Sequence, residues 1–161
     1  MSVFGDDGRD VFTVNANQAV LTLFGGAGDD LFVIRALAVA ADSYLPRAPV
    51  NVNGGSGFDI VVGLGTEFAD ALYLGTDPAA APPTTIIAGA GTTTVATGVE
   101  AAEVDGLAGD DTFFVAGTAV GVAASVTGSA CPARGWGAAA RPISRTAGAR
   151  KTVAFLIWIL F

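Results

Sequence analysis

Glycine-rich turns of one design recur along this chain, and they constrain its fold more than any other feature. Gly25-Gly26-Ala27-Gly28-Asp29-Asp30-Leu31-Phe32-Val33 and Gly54-Gly55-Ser56-Gly57-Phe58-Asp59-Ile60-Val61-Val62 both fit G-G-x-G-x-D-x-U-x, where U is a large apolar residue. Gly5-Asp6-Asp7-Gly8-Arg9-Asp10-Val11-Phe12-Thr13 and Gly106-Leu107-Ala108-Gly109-Asp110-Asp111-Thr112-Phe113-Phe114 each lack only the second glycine. A fifth segment, Ala88-Gly89-Ala90-Gly91-Thr92-Thr93-Thr94-Val95, keeps the turn but carries Thr93 in place of the aspartate. Glycine reaches positive φ without the steric cost of a Cβ, so each segment reads as a sharp turn between extended stretches.

The flanks agree with that reading. Val20-Leu21-Thr22-Leu23-Phe24, Val50-Asn51-Val52-Asn53 and Thr84-Thr85-Ile86-Ile87 are β-prone and lead directly into a turn. The U residues Phe12, Phe32, Val61, Val95 and Phe113 follow the aspartate position by two, and the period of a strand points them inward as the turn ends. Between residues 3 and 128 no long stretch has a period of 3.6, although the Ala-rich run from Ile34 to Ala41 would suit one or two helical turns. The body is therefore expected to be nearly all β. A hard cation such as Ca²⁺ takes about 6 to 8 oxygens, and a glycine turn exposes carbonyls while its sixth residue adds a carboxylate.

Over residues 3 to 128 the chain resembles the hemolysin-type (RTX) calcium-binding repeat proteins, on the strength of the nonapeptides above. That resemblance implies a parallel β-solenoid, β-helix- or β-roll-like, with Ca²⁺ held between turns stacked on one edge. It implies Asp10, Asp30, Asp59 and Asp111 as side-chain ligands of the metal. Backbone oxygens of Gly5, Gly25, Gly54 and Gly106 and their neighbours, with Gly28, Gly57 and Gly109 shaping the turns, would complete the shells. Asp6, Asp7, Asp29 and Asp110 are weaker candidates, expected to stay solvated or to support the ligands from behind. The spacing departs from the family: the turns begin at 5, 25, 54, 88 and 106, steps of 20, 29, 34 and 18 where tandem repeats step by nine. Longer coils would still let the turns stack; turns out of line would each be half a site. The alternative is a metal-free β-solenoid stalk or adhesin segment, in which the aspartates only cap turns.

Charge favours the metal reading. All 15 acidic residues lie between Asp6 and Asp111, with only Arg9, Arg35 and Arg47 against them in residues 1–128, a net charge of −12. Such a density repels itself in a compact state and is relieved by bound cations; it argues against nucleic acid. An acidic surface kept for solubility is the plainer explanation. Histidine is absent, which removes H-E-x-x-H zinc sites, Ser-His-Asp triads and Cys-His dyads, and adjacent carboxylates on a strand point to opposite faces, so no enzyme is expected. Cys131 is the single cysteine and cannot form an internal disulfide.

The expected location is extracellular or at the cell surface without an N-terminal signal peptide, since Gly5-Asp6-Asp7-Gly8 occupies the place of a leader's apolar run. RTX-type proteins commonly leave through an uncleaved C-terminal signal. A cell-surface or matrix ligand is compatible with that location. Met1 stands four residues before the first turn, as though the chain begins inside a longer array. Two regions are expected: a repeat domain over 1–128, and a tail over 129–161 that lies outside the fold. The tail has no acids and five bases, and it ends in the apolar run Thr152–Phe161. Ten residues of helix reach about 15 Å against a hydrocarbon core of about 30 Å, so no stable membrane span is expected.

Overall fold

Alternating burial is the rule that the strands obey. In Val50-Asn51-Val52-Asn53-Gly54 the two valines are buried and Asn53 is exposed, and in Leu31-Phe32-Val33-Ile34-Arg35 only Phe32 and Ile34 are fully inside. This is the period of two that apolar residues every second place impose on an extended chain.

The structure, a computed structural model, describes residues 1–45, 47–77 and 79–129. The expected tail therefore lies outside the described residues, apart from Ser129, which ends the last strand. Along the chain run β1 (Ser2–Phe4), β2 (Val11–Val14), β3 (Leu21–Ala27), β4 (Leu31–Arg35), β5 (Ala38–Ala40), β6 (Ser43–Tyr44), β7 (Val50–Ser56) and β8 (Ile60–Leu64). There follow β9 (Ala71–Asp77), β10 (Thr84–Gly89), β11 (Thr92–Thr97), β12 (Ala101–Ala108), β13 (Thr112–Val115) and β14 (Ala123–Ser129). The all-β expectation holds among the described residues. The helical turn considered at Ile34–Ala41 is not formed, because Ile34 continues β4 in register with Gly63 of β8 and Ala38 opens β5.

Two sheets share the strands. The first has seven, in the order β1-β3-β7-β11-β10-β9-β13; the second has five, in the order β14-β12-β8-β4-β2; β5 and β6 pair separately. The chain alternates between the two sheets: β1 leads to β2, β3 to β4, β7 to β8 and β11 to β12. Within each sheet these strands pair in parallel, Leu21 beside Val50 and Phe32 beside Val61. Their inner faces meet in one core that includes Leu23, Val50, Val52, Phe32, Val61, Ala102 and Val104. Phe12 stacks on Phe32 at 4.9 Å between ring centroids inside, and Phe4 stacks on Phe24 at 4.8 Å outside. Both distances match the spacing of neighbouring strands.

The winding departs from the purely parallel one that the resemblance implies. β9, β10 and β11 form an antiparallel meander inserted into the first sheet. Its tight turn is Ala90-Gly91, both at positive φ (47° and 75°), the two-residue geometry that matches strand twist. The fifth glycine segment is thus a hairpin and not a turn between sheets. Thr93 lies within β11, exposed and paired with Ala88, and Val95 is only half-buried while Thr94 and Ala96 face inward. The other four U residues do join the core: Phe32 and Val61 are fully buried, and Phe12 and Phe113 pack against it.

Candidate metal centre at the stacked glycine turns

The turns that carry β1 to β2, β3 to β4 and β7 to β8 all leave the C-terminal ends of parallel strands in the first sheet. They therefore lie at one edge of the molecule. Main-chain bonds tie them together: the Gly8 N–H donates to the Ala27 carbonyl (2.7 Å), that of Ala27 to Asp6 (2.8 Å), and that of Gly28 to Ser56 (2.8 Å). Steps of 20 and 29 residues thus end in register, because the additional residues of the longer step hold the β5–β6 excursion and leave the strand pairing intact.

The sixth-position aspartates form a column on this edge. The Asp10 N–H donates to Asp30 Oδ1 (2.8 Å), the Asp30 N–H to Asp59 Oδ1 (2.8 Å), and the Asp59 N–H to Glu100 Oε2 (2.8 Å). One oxygen of each downstream carboxylate is therefore committed to the backbone of the preceding turn. The other oxygen is not. Oδ2 of Asp10, Asp30 and Asp59 is buried without a hydrogen-bond partner, and so is Oδ2 of Asp111. Asp30 and Asp59 are 1% and 0% exposed, so water reaches neither carboxylate freely.

Each of these orphaned oxygens faces the first glycine of its own turn. A Cβ on Gly25 would strike Asp30 Oδ2 and the Gly54 carbonyl, and one on Gly5 would meet Asp10 Oδ2 and the Gly25 carbonyl. The glycine at these positions is required by close approach. At Gly28 and Gly57 the backbone itself demands it, with φ of 128° and 136°. Carboxylate oxygen and carbonyl oxygens are thus brought together around the space that a side chain would fill.

Burial pushes the Asp59 carboxyl above the ordinary range; the Asp30 N–H pulls it down, and the charges of Asp30, Glu100 and Asp29 push it up again. Burial raises Asp111 likewise, against the Asp70 N–H, with Asp70, Asp105 and Asp110 adding. A buried carboxylate oxygen without a donor costs free energy until it gains a proton or a cation. The donor set is all oxygen and suits a hard cation. Among the described residues no three His, Cys, Asp or Glu side chains cluster as a metal site, so such a cation would rest on one carboxylate per turn and on main-chain carbonyls.

The structure does not unite all four candidate aspartates. The Gly106–Asp111 turn joins β12 to β13, passing from the second sheet to the first, and so lies at the opposite edge. Its neighbour there is a turn that motif matching missed, Gly65-Thr66-Glu67-Phe68-Ala69-Asp70, between β8 and β9. The Gly65 N–H donates to the Asp105 carbonyl (2.7 Å), the Asp70 N–H to Asp111 Oδ1 (3.0 Å), and the Thr112 N–H to the Asp70 carbonyl (2.8 Å). Glycine at the first place, aspartate at the sixth and buried Leu72 at the eighth were its signal. Glu100 was also missed. It ends the first column in the shortened turn Gly98-Val99-Glu100, where Gly98 stacks against Gly54.

The weaker candidates divide. Asp29 is exposed, but its Oδ1 accepts the Phe58 N–H (2.9 Å) and so braces the next turn. Asp6, at φ 67°, contributes its carbonyl to Ala27 while its side chain is exposed, and the Asp7 and Asp110 side chains are exposed too. No helix among the described residues is long and apolar enough to cross a membrane. Comparison of the chain with models of protein families, with curated proteins and with solved structures finds no match.

Proposed function

We propose that this chain is a calcium-binding repeat segment of the RTX type, wound as a β-solenoid whose parallel course is interrupted by the β9–β11 meander. The observation that carries the reading is the column of buried, unpartnered Oδ2 atoms of Asp10, Asp30 and Asp59 beside the glycine carbonyls of the first edge. Calcium would be held there by those three carboxylates with backbone oxygens of Gly5, Gly25 and Gly54 and their neighbours, in turns shaped by Gly28 and Gly57. Asp111, with Gly106 and Gly109, is a lone candidate at the other edge. The ion supplies positive charge that lets the buried carboxylates stay ionised in the folded state.

Binding of this kind adds to folding free energy when the site exists only in the folded chain. A segment carrying −12 over its first 128 residues then folds best where calcium is plentiful, which fits an extracellular or cell-surface setting. The role is binding and scaffolding, not catalysis. The test is a calcium titration of the full chain followed by circular dichroism and thermal melting. Millimolar Ca²⁺ should increase β-signal and raise the midpoint, and Mg²⁺, which demands a rigid octahedral shell, should do much less. Spectra and midpoint indifferent to calcium would leave the metal-free stalk or adhesin segment, a reading favoured by the carboxylate–amide ladder, which ties the turns without any ion.

A further inference from the structure

Asp70 occupies the same place in its turn as Asp30 and Asp59 do in theirs, yet its environment is different in kind. Its Oδ2 accepts the Thr66 N–H (2.5 Å), and its Oδ1 accepts the Thr66 hydroxyl (3.0 Å) and the Tyr44 hydroxyl (2.8 Å). Thr66 Oγ1 in turn accepts the Phe68 N–H (3.1 Å), so its single proton is free for Asp70. The Tyr44 hydroxyl also lies 3.2 Å from the Ala69 carbonyl, with Asp70 the nearer acceptor for its one proton. Both oxygens of a 3% exposed carboxylate have a donor from Thr66 in any case. Tyr44 reaches the site from β6, in the excursion that lengthens the step between the second and third glycine turns. The Gly65–Asp70 turn also has no residue at positive φ, whereas the Gly25 and Gly54 turns each have two glycines there. Its carbonyls are not presented as theirs are.

We propose that Tyr44 and Thr66 hold Asp70 with hydroxyl groups where a cation would otherwise be needed, making the Gly65–Asp70 turn a metal-independent clasp for the second edge. The clasp orders the strand ends around β8–β9 and β12–β13 through the Asp70 N–H to Asp111 and the Thr112 N–H to Asp70. The Gly65–Asp70 turn then takes no ion, and the metal response is left to the first edge and to Asp111, whose Oδ2 is also without a donor. The clasp itself stands on geometry alone; the contrast between edges rests on the calcium reading.

Amide hydrogen exchange of the full chain, with chelator and with millimolar Ca²⁺, separates the two. The amides of Thr66 and Thr112, which bond to Asp70 itself, should be protected in chelator and change little with calcium, while those of Asp10 and Asp30 should slow on adding it. Tyr44→Phe and Thr66→Ala should each lower the thermal midpoint by about 3–6 °C, by the same amount in chelator and in calcium, with calcium stoichiometry unchanged. Protection of Thr66 and Thr112 that appears only with calcium would overturn the clasp. So would a Tyr44→Phe effect confined to the calcium-loaded protein. If those amides are protected throughout and Asp10 and Asp30 ignore calcium, the clasp stands and the calcium reading falls. Should Tyr44→Phe fail to fold, exchange in the unaltered chain still decides.

Discussion

The two edges of this molecule use the same turn, with glycine first and aspartate sixth, and satisfy its carboxylate in different ways. On the first edge Asp10, Asp30 and Asp59 each keep one buried oxygen without a donor. On the second, Asp111 keeps such an oxygen as well, but its neighbour Asp70 accepts three hydrogen bonds from Thr66 and Tyr44. The difference teaches that one glycine turn can leave its aspartate with or without hydrogen-bond donors. Glycine sets the geometry, and under the calcium proposal an ion is needed only where donors are absent.

The largest expected effect breaks the comparison directly. Asp59→Ala or Asp30→Ala should abolish most of the calcium-induced rise in melting temperature, about 2.7 kcal/mol per site at a hundredfold excess of ion over Kd. In chelator the same substitutions should still cost about 1–3 kcal/mol, because the Asp30 or Asp10 N–H loses its acceptor, a loss offset in part by removal of a buried carboxylate oxygen that had no partner. Asp29→Ala should act weakly in both conditions, through loss of the bond to the Phe58 N–H. Equal effects at Asp29 and Asp30 in calcium melts would mean that general acidity, and not the site, attracts the ion.

Next in size is Gly25→Ala. The new Cβ would meet both Asp30 Oδ2 and the Gly54 carbonyl, and the backbone of a stacked turn has little room to yield. Overpacking of this order costs about 1–3 kcal/mol. The loss should appear in chelator as well as in calcium, and calorimetry should find the calcium affinity lowered too. A variant that melts normally and binds calcium normally would show that the turns are not held at this separation.

A smaller effect comes from pH, and its sign separates the ion-free from the loaded protein. Asp59 and Asp111 have folded-state values raised above the unfolded carboxylate, so the folded chain holds protons that the unfolded chain releases. Their contribution in chelator is fully present below about pH 4 and is lost as pH rises through their folded values. The chelated protein should therefore unfold at lower denaturant as pH climbs from 4 toward neutrality. With saturating calcium the trend should flatten or reverse, because cation binding requires the ionised form. Urea melts at several pH values check both arms.

Much of this was legible in the sequence where the signal is local. The nonapeptides at Gly25 and Gly54 place Asp30 and Asp59 without reference to the rest of the chain, and both are buried. Edge membership is not local. Whether a turn leaves the first sheet or the second depends on every strand before it, so Gly106–Asp111 carries nearly the full motif and still sits across the molecule from its counterparts. The Gly65 turn escaped because Thr66 and Phe68 replace two glycines; the clasp that makes those glycines dispensable comes from Tyr44, distant in sequence. The hairpin at Ala90-Gly91 was misread for the opposite reason: tight hairpins and turns between sheets draw on the same glycine chemistry.

That misreading supplies the smallest expected effect. Thr93→Asp completes the aspartate position of the fifth glycine segment, and a turn stacked with the others would gain calcium affinity from it. Thr93 instead lies exposed in β11, opposite Ala88 across an antiparallel pair, at the end of the first sheet's strands away from the Asp10–Asp59 column. An added carboxylate there meets solvent and the strand's own edge of the hairpin. Calcium stoichiometry should stay unchanged, and stability should move by only about 0.5 kcal/mol, as for an ordinary surface substitution. A new calcium equivalent in calorimetry would place this segment among the metal turns and undo the division between the two edges.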